Sequence, residues 1–524
     1  MVLGTGSHVG KSLMVAALCR IFTQHGVRVA PFKSQNMSLN SATTIEGLEI
    51  GRAQALQAEA AGIPASVHMN PILLKPSGGM RSQIVVRGKV WGTLSASDYH
   101  LRRVEELLPL VRDSYETLAT EYEVIILEGA GSPAEINLKQ QDIVNMRMAE
   151  IADARCILVG DIDRGGVFAS LLGTVELLDP EEQKRIHGFA INKFRGDLKL
   201  LEPGIRMMEE RLQKPCLGVV PYLQDLVLDE EDSLGLSAAE TAIWESSRSR
   251  ERALRIAVVV LPSFSNFTDF DAIRAEPSVS LRFVRTAEQL HEADILILPG
   301  SKQTVDDLLW LRDRGIASIC LEHARQHLVV GICGGMQMLG ASISDPLGIE
   351  HSGVVDGLGL LPIRTTMHPQ KVTTLTHGKL AAKTLFGQAI PSIHLSGYEI
   401  HVGETTYLNN ARPFADVSRD VASESSHTDG CISSNDRVFG TYLHGLFDQD
   451  DFRSAFINAA RRFYGLSPVT KLNPWRAMRE NSLNHLAAQV EQSLDMKKIF
   501  AWAGRTYGIP ISEAIEGSQA RVAG

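Results

Sequence analysis

Short, wholly apolar runs recur along the chain, and most of them stop at a cluster of glycines and polar residues. Val124-Ile125-Ile126-Leu127 runs into Glu128-Gly129-Ala130-Gly131, and Cys156-Ile157-Leu158-Val159 into Gly160-Asp161-Ile162-Asp163-Arg164. Ile295-Leu296-Ile297-Leu298 runs into Pro299-Gly300-Ser301-Lys302, and Leu328-Val329-Val330 into Gly331-Ile332-Cys333-Gly334-Gly335. Apolar runs without alternation suit strands buried on both faces, as in a parallel sheet, which gathers its ligands at the carboxyl ends of its strands. Further strands are expected at 27–30, 85–88, 189–194, 218–222, 255–260, 394–401 and 438–443. Helical patterns cover 11–24, an Ala-rich 48–62, an amphipathic 98–119 and a stretch ending near Tyr464. Leu483, Leu486, Val490 and Leu494 add one more, at spacings of 3, 4 and 4. The fold class is α/β.

The chain of 524 residues is too long for one core. From Asp229 to Arg252 it turns polar, charged and rich in Ser and Ala, so the expected division is 1–230, a linker at 231–252, and a second α/β domain at 253–450. Helices at 451–505 and a loose tail at 506–524 follow. A formal charge of -9 gives no electrostatic case for a nucleic-acid partner. Six cysteines without a CxxC pair suggest neither a disulfide framework nor a structural zinc site. No apolar run reaches the roughly 18 residues of a membrane span, and the N-terminus reads as a nucleotide motif rather than a signal peptide. A cytoplasmic enzyme acting on small molecules is expected.

That N-terminal motif is Gly4-Thr5-Gly6-Ser7-His8-Val9-Gly10-Lys11-Ser12. A glycine-rich turn between strand and helix points backbone N–H groups at phosphates; Lys11 would reach the terminal phosphates and the Ser12 hydroxyl would ligate Mg²⁺. The regular pattern places glycine where Thr5 stands; the glycine is at 4, and the loop is one residue longer. This form resembles the P-loop of dethiobiotin-synthetase-like ligases, which activate carboxylates with ATP. Only Met1-Val2-Leu3 precede it, so either the first strand is short or the native start lies upstream. Around it, Lys33 is a candidate for the transferred phosphoryl group, and Gln35 and Asn36 for a substrate carboxyl. Glu128, Asp161 and Asp163 join Ser12 as candidates for Mg²⁺, and Arg164 suits an anionic substrate. Asn192-Lys193 resembles a base-contacting loop, with the usual aspartate displaced to Asp197.

Strand, glycine turn and helix around Cys333 make an exposed thiol, with the Gly334 N–H as one half of an oxyanion hole. His444 ends the strand Val438-Phe439-Gly440-Thr441-Tyr442-Leu443 and could take the thiol's proton. Spacing alone does not pair two residues so far apart. These two turns resemble the class I (triad-type) glutamine amidotransferases, in which a turn such as Gly300-Ser301 supplies the second oxyanion N–H. Most members read His-Pro-Glu; here Leu446 stands in the acid's place. Glu399 is a candidate substitute, and Tyr398 alternatively lines the glutamine pocket.

Through the runs 33–38, 128–138 and 160–168 the chain resembles the cobyric acid synthases over nearly its whole length, departing at Leu39. That resemblance also marks Asn137 and Asp142 as active-site loop residues. It implies a P-loop parallel-sheet domain and a glutaminase domain, with ATP, Mg²⁺ and glutamine as ammonia donor. Its implied substrate is adenosylcobyrinic acid a,c-diamide, amidated at the b, d, e and g carboxylates, with cobalt only inside this corrinoid. Cobyrinic acid a,c-diamide synthase is the alternative; a murein-precursor amidating ligase and a partitioning-type P-loop ATPase fit less well.

Overall fold

Six parallel strands carry the N-terminal half: β1 (Val2–Gly4), β2 (Val29–Phe32), β3 (Val124–Leu127), β4 (Cys156–Asp161), β5 (Ile186–Phe194) and β6 (Cys216–Pro221). Their order is β2-β3-β1-β4-β5-β6, with β3 and β1 joined by one parallel bridge, Val2 to Glu128. The computed structural model describes residues 1–77, 81–224, 226–229, 252–419 and 426–508, and residues 100–103 by their backbone only. The expected linker falls almost entirely outside the described residues, as does the tail from 509 onward. The first strand spans three residues and meets β3 through that one bridge. The connection after β2 builds a separate mixed sheet in which Gln35–Met37 pairs parallel with Ile72–Ser77.

The main sheet of the C-terminal half has nine strands: β7 (Leu254–Val259), β8 (Val279–Val284), β9 (Ile295–Leu298), β10 (Leu328–Ile332), β11 (Val372–Leu380), β12 (His394–His401), β13 (Arg412–Ser418), β14 (His427–Ile432) and β15 (Val438–Thr441). The order β8-β7-β9-β10-β15-β14-β13-β11-β12 is parallel as far as β15 and antiparallel beyond it. The parallel part carries the wholly apolar runs. The antiparallel part alternates, which is why only some of its strands stood out as apolar segments.

Helix α1 (Lys11–Gln24) follows the P-loop and buries residues around nearly its whole circumference, Met14 through Phe22 except Arg20. A helix apolar on every side needs cover on every side. Helix α2 (Arg52–Ala61) lies beside it. After the second domain, α3 (Asp450–Phe463) packs Phe452 and Phe456 on that domain's aromatic core. Helices α4 (Trp475–Ser493) and α5 (Met496–Trp502) instead return to the N-terminal half. Leu483, Leu486 and Val490 share a core with α1, and Phe500 stacks on Phe22 with centroids 4.1 Å apart. Gly218 allows this approach: a Cβ there would meet Ser493 O at 1.9 Å. The expected loose tail is packed where it is described, since Tyr507 lies against Phe500 and donates to Glu491 Oε1 at 2.9 Å. Among the described residues no helix is long and apolar enough to cross a membrane.

Candidate functional site

β10 ends at Ile332 and a short helix begins at Gly334, leaving Cys333 between them at φ 50°, ψ -111°. This left-handed backbone is uncommon for a residue with a side chain and recurs at functional turns. The glycines make the turn possible: a Cβ at Gly335 would stand 1.9 Å from Leu298 O. Parallel pairing of Ile332 with Thr441 brings the end of β15 alongside, and Cys333 N donates to Thr441 O at 2.8 Å. Three residues further, His444 reaches the same rim. Its backbone pairs with Tyr398, N to O at 2.9 Å and O from N at 3.2 Å, and the two rings stack with centroids 5.2 Å apart.

The carboxylate at His444 is that of Asp269. Its Oδ2 lies 2.7 Å from Nδ1 and its Oδ1 accepts from Gly445 N at 3.0 Å. Burial alone would push the His444 pKa down, but the Asp269 charge and hydrogen bond and the neighbouring Cys333 outweigh it and raise the value to about 10. Nε2 has no aligned hydrogen bond among the described residues, and the Cys333 thiol points to Ile400 O at 3.5 Å. A thiol and base held as neighbours yet loosely aligned are common before substrate arrives.

Glu399 does not occupy the orienting position. Neighbouring residues of a strand point to opposite faces, and Tyr398 takes the face toward His444. Glu399 meets Thr376 at 3.0 Å, His401 at 3.2 Å and Arg419 at 2.8 Å. Burial would raise its pKa, but the hydrogen bonds from His401, His427 and Arg419 hold it well below the usual carboxylate range. Asp269 escaped the sequence reading because it lies 175 residues before His444, in a short turn, Phe267–Phe270. The signal was present: Asp269 is the one ionisable residue of the run Phe264-Ser265-Asn266-Phe267-Thr268-Asp269-Phe270, which follows a buried strand. For the oxyanion pair, a Cβ at Gly334 would stand 3.0 Å from Ser301 N, so these two amides are neighbours. The corresponding point at Gly300 faces His444 Cε1 at 3.3 Å.

At the other rim, Gly10 has φ 97° and a Cβ there would meet Asn192 Nδ2 at 2.2 Å. At Gly4 it would meet Val9 Cγ2 at 2.6 Å, and Thr5 N donates to Val159 O at 3.0 Å, so the loop is folded tightly on β4. Lys11 Nζ donates to Gly6 O at 2.7 Å and Gly131 O at 3.1 Å. Glu128, buried at the end of β3, gathers Ser12 Oγ at 2.8 Å, Lys33 Nζ at 2.9 Å and Gln57 Nε2 at 2.6 Å. Lys33 thus stands as partner to Glu128, beside the phosphate loop.

The four expected Mg²⁺ residues divide in two. Ser12 and Glu128 touch, whereas Asp161 pairs with Lys193 at 2.9 Å and Asp163 with Arg195 at 2.9 Å. Among the described residues no group of three acids, histidines or cysteines is arranged for a metal. A hydroxyl and one carboxylate nevertheless suit Mg²⁺, which keeps several waters and binds through one or two carboxylates plus phosphate. A cleft of about 700 Å³ opens over Lys11, Ser12, Asn192, Arg164 and Tyr222. Asn192 donates to Val9 O at 2.9 Å, bracing the loop. Arg164, a candidate for an anionic substrate, lines this cleft.

A second cleft, about 1570 Å³, is bordered by Gln35, Met37, Gly131, Ser132, Lys139 and Asp142. Gly131 on its wall accepts a hydrogen bond from Lys11, which lines the first cleft. Asp142 shapes its wall, since its carboxylate accepts from the N–H groups of Val144, Asn145 and Arg147 at 2.8, 2.9 and 3.0 Å. Asn36 is likewise structural here, buried and bonded to Gln54 at 3.1 Å. Asn137 is exposed on the turn Ile136–Gln141, off the cleft wall.

Residues 1–235 match the family described as a CobQ/CobB/MinD/ParA nucleotide binding domain, and residues 255–452 match the CobB/CobQ-like glutamine amidotransferase domain. The cobyric acid synthase of Thermoanaerobacter sp. (strain X514) is 46% identical over 95% of this chain and 97% of its own. That of Clostridium botulinum (strain ATCC 19397 / Type A) is 47% identical over 96% of this chain and 99% of its own. The cobyric acid synthase of Geobacillus sp. (strain WCH70) is 47% identical over 95% and 96%.

Proposed function

This chain belongs to the cobyric acid synthase family, and from that premise we propose how its own residues divide the work. It is a glutamine-hydrolysing, ATP-dependent carbon–nitrogen ligase. Its reaction is amidation of the b, d, e and g carboxylates of adenosylcobyrinic acid a,c-diamide, in adenosylcobalamin synthesis. The observation that carries the division is the presence in one chain of two strand-end rims, a Cys333–His444–Asp269 constellation on one and a Gly10-Lys11-Ser12 loop beside buried Glu128 on the other.

At the first rim, His444 Nε2 takes the Cys333 proton as sulfur attacks the glutamine amide carbon. The N–H groups of Gly334 and Ser301, with Gly300 shaping the turn, receive the oxyanion. The intermediate collapses to a thioester when His444 returns the proton to the departing ammonia. Water then attacks the thioester with His444 again as base, releasing glutamate and the thiol. Asp269 holds the ring in place and stabilises its protonated form.

At the second rim, a corrinoid carboxylate displaces ADP from the γ-phosphate of ATP to give an acyl phosphate. Ammonia attacks that carbon, and phosphate and a proton leave. Lys11 supplies positive charge to the transferring phosphoryl group. Mg²⁺, held by Ser12 and Glu128, would supply further charge neutralisation there. Asn192 and Arg164 border the nucleotide, and Gln35 the acceptor, whose cobalt stays within the substrate. The test offers full-length protein, ATP and glutamine with either cobyrinic a,c-diamide or cobyrinic acid, and counts the nitrogens gained by mass. Four added to the diamide is expected. Amidation of cobyrinic acid with an untouched diamide would replace this reading by the a,c-diamide synthase.

A further inference from the structure

The turn that carries Asp269 is held from the other half of the molecule. Phe267 N donates to Asn40 Oδ1 at 3.1 Å, and Ser41 N donates to Asn266 Oδ1 at 3.0 Å. Two buried asparagines, one from each half, thereby exchange side chain for backbone across the domain seam. Asn266 stands at φ 54°, and its side-chain nitrogen lies 3.4 Å from His444 Nδ1. Its carbonyl accepts from Asp269 N at 3.1 Å, so the residue clamped by the ligase half also begins the turn that presents Asp269. On the ligase side Asn40 O accepts from Arg52 N at 3.2 Å, at the start of α2, and the Arg52 guanidinium hydrogen-bonds the Tyr398 hydroxyl, whose ring stacks on His444.

We propose that Asn40 is a positioning residue for the glutaminase base: by clamping the Asn266–Asp269 turn it fixes Asp269 against His444, so the glutaminase machinery is completed by the ligase half. Among the described residues, the acceptor of Phe267 N–H is Asn40 Oδ1 from the other half. Without it the turn keeps the Ser41–Asn266 bond and its bonds within the C-terminal half, and the Asp269–His444 contact loses one of its supports. Such a loss acts on proton transfer, because the bonds of Asn40 to Phe267 N and Arg52 N support the turn of Asp269 and the neighbour of Tyr398.

This inference rests on the reading of Cys333 and His444 as the glutaminase, and the test is arranged so that the two fail separately. Full-length Asn40→Ala is expected to lower kcat for glutamine hydrolysis by about tenfold, the worth of one lost buried hydrogen bond. KM for glutamine and amidation fed by ammonia should stay at wild-type values. Asn40→Asp, which keeps an oxygen in the same place, should recover most of the turnover. Asn266→Gly keeps the left-handed backbone and drops the other acceptor. Combined with Asn40→Ala its effect should be less than additive, since both act on one turn; if Asn40→Ala does not fold, Asn266→Gly alone carries the kcat and ammonia comparison. Wild-type turnover in Asn40→Ala, equal loss with ammonia as nitrogen source, or strict additivity would overturn the proposal. Glutaminase surviving in Cys333→Ala would instead remove the reading beneath it.

Discussion

Replacing Asp269 by Asn leaves the turn its size and removes the charge 2.7 Å from His444 Nδ1. Glutaminase turnover should fall by about 10²- to 10⁴-fold, the range for misplacing a proton-transfer group. The pH profile should move as well. The Asp269 charge is a main cause raising the His444 pKa to about 10, while burial pulls it down. Without that charge the imidazolium gives up its proton at lower pH, and because His444 must be neutral to act as base, the acid limb of glutaminase activity should shift downward. The pair's contribution to stability is fully present below about pH 6.5 and is lost as pH rises toward about 10, so thermal melts of wild type should weaken over that window more than those of Asp269→Asn. Glu399→Gln should leave the acid limb in place, and an equal shift would return Glu399 to the base. Cys333→Ala should abolish glutamine-dependent product and spare ammonia-dependent product; loss of both would unseat the thiol. Cys333 and His444 were legible because each ends an apolar strand in its own local pattern. Asp269 was not, because the contact that matters is made across the sheet rim by a residue whose neighbours in sequence are core aromatics.

Elements were legible wherever burial made them uniform. The expected runs at 124–127, 156–159, 328–332 and 394–401 all lie on observed strands. The helix expected at 98–119 is interrupted at Arg103–Leu107, where the turns widen. The mixed sheet around Gln35–Met37 was not foreseen, since its short strands carry no clear period. Nor did the heptad-like spacing of Leu483, Leu486 and Val490 say which half those residues cover. Amphipathic pattern declares that a face is buried, not against what. The packing of α5 can be measured: Phe500→Ala removes a fully buried ring stacked on Phe22 and should cost about 3–5 kcal/mol of stability in the N-terminal half. Denaturant melts followed by nucleotide binding would detect it. A change below about 0.5 kcal/mol would mean α5 is peripheral to that core.

At the scale of the molecule, one P-loop serves four carboxylates of one macrocycle. If the second cleft, of about 1570 Å³, takes the corrinoid as proposed, it should present a single edge of so large a substrate to the phosphate loop at a time. Each amidation removes a negative charge and weakens attraction to basic groups such as Lys139 at the cleft wall. Partly amidated corrinoids should therefore leave and rebind, and early samples taken with excess substrate should contain free intermediates in amounts above that of the enzyme. If only diamide and finished product appear, the substrate is turned within one bound encounter. The two-domain division was readable from composition alone. The seam, with Asn40 against Phe267 and Lys371 against Glu49, was not, because pairings between distant halves leave no local trace.

The return of α4 and α5 to the first domain also has a consequence for how the protein is made. Helix α1 leaves the ribosome early, yet the residues that cover its outer face follow β6 by about 280 positions. At roughly 5–20 residues per second that interval is about 14 to 56 s, during which Met14, Leu18 and Phe22 have no partner from the chain's end. The glutaminase domain, contiguous in sequence, can close during the same interval. Nascent chains stalled before residue 475 should therefore protect the Cys333 domain from protease while remaining cleavable in α1, and should bind a holdase chaperone there. A segment synthesised early is among the last to be enclosed.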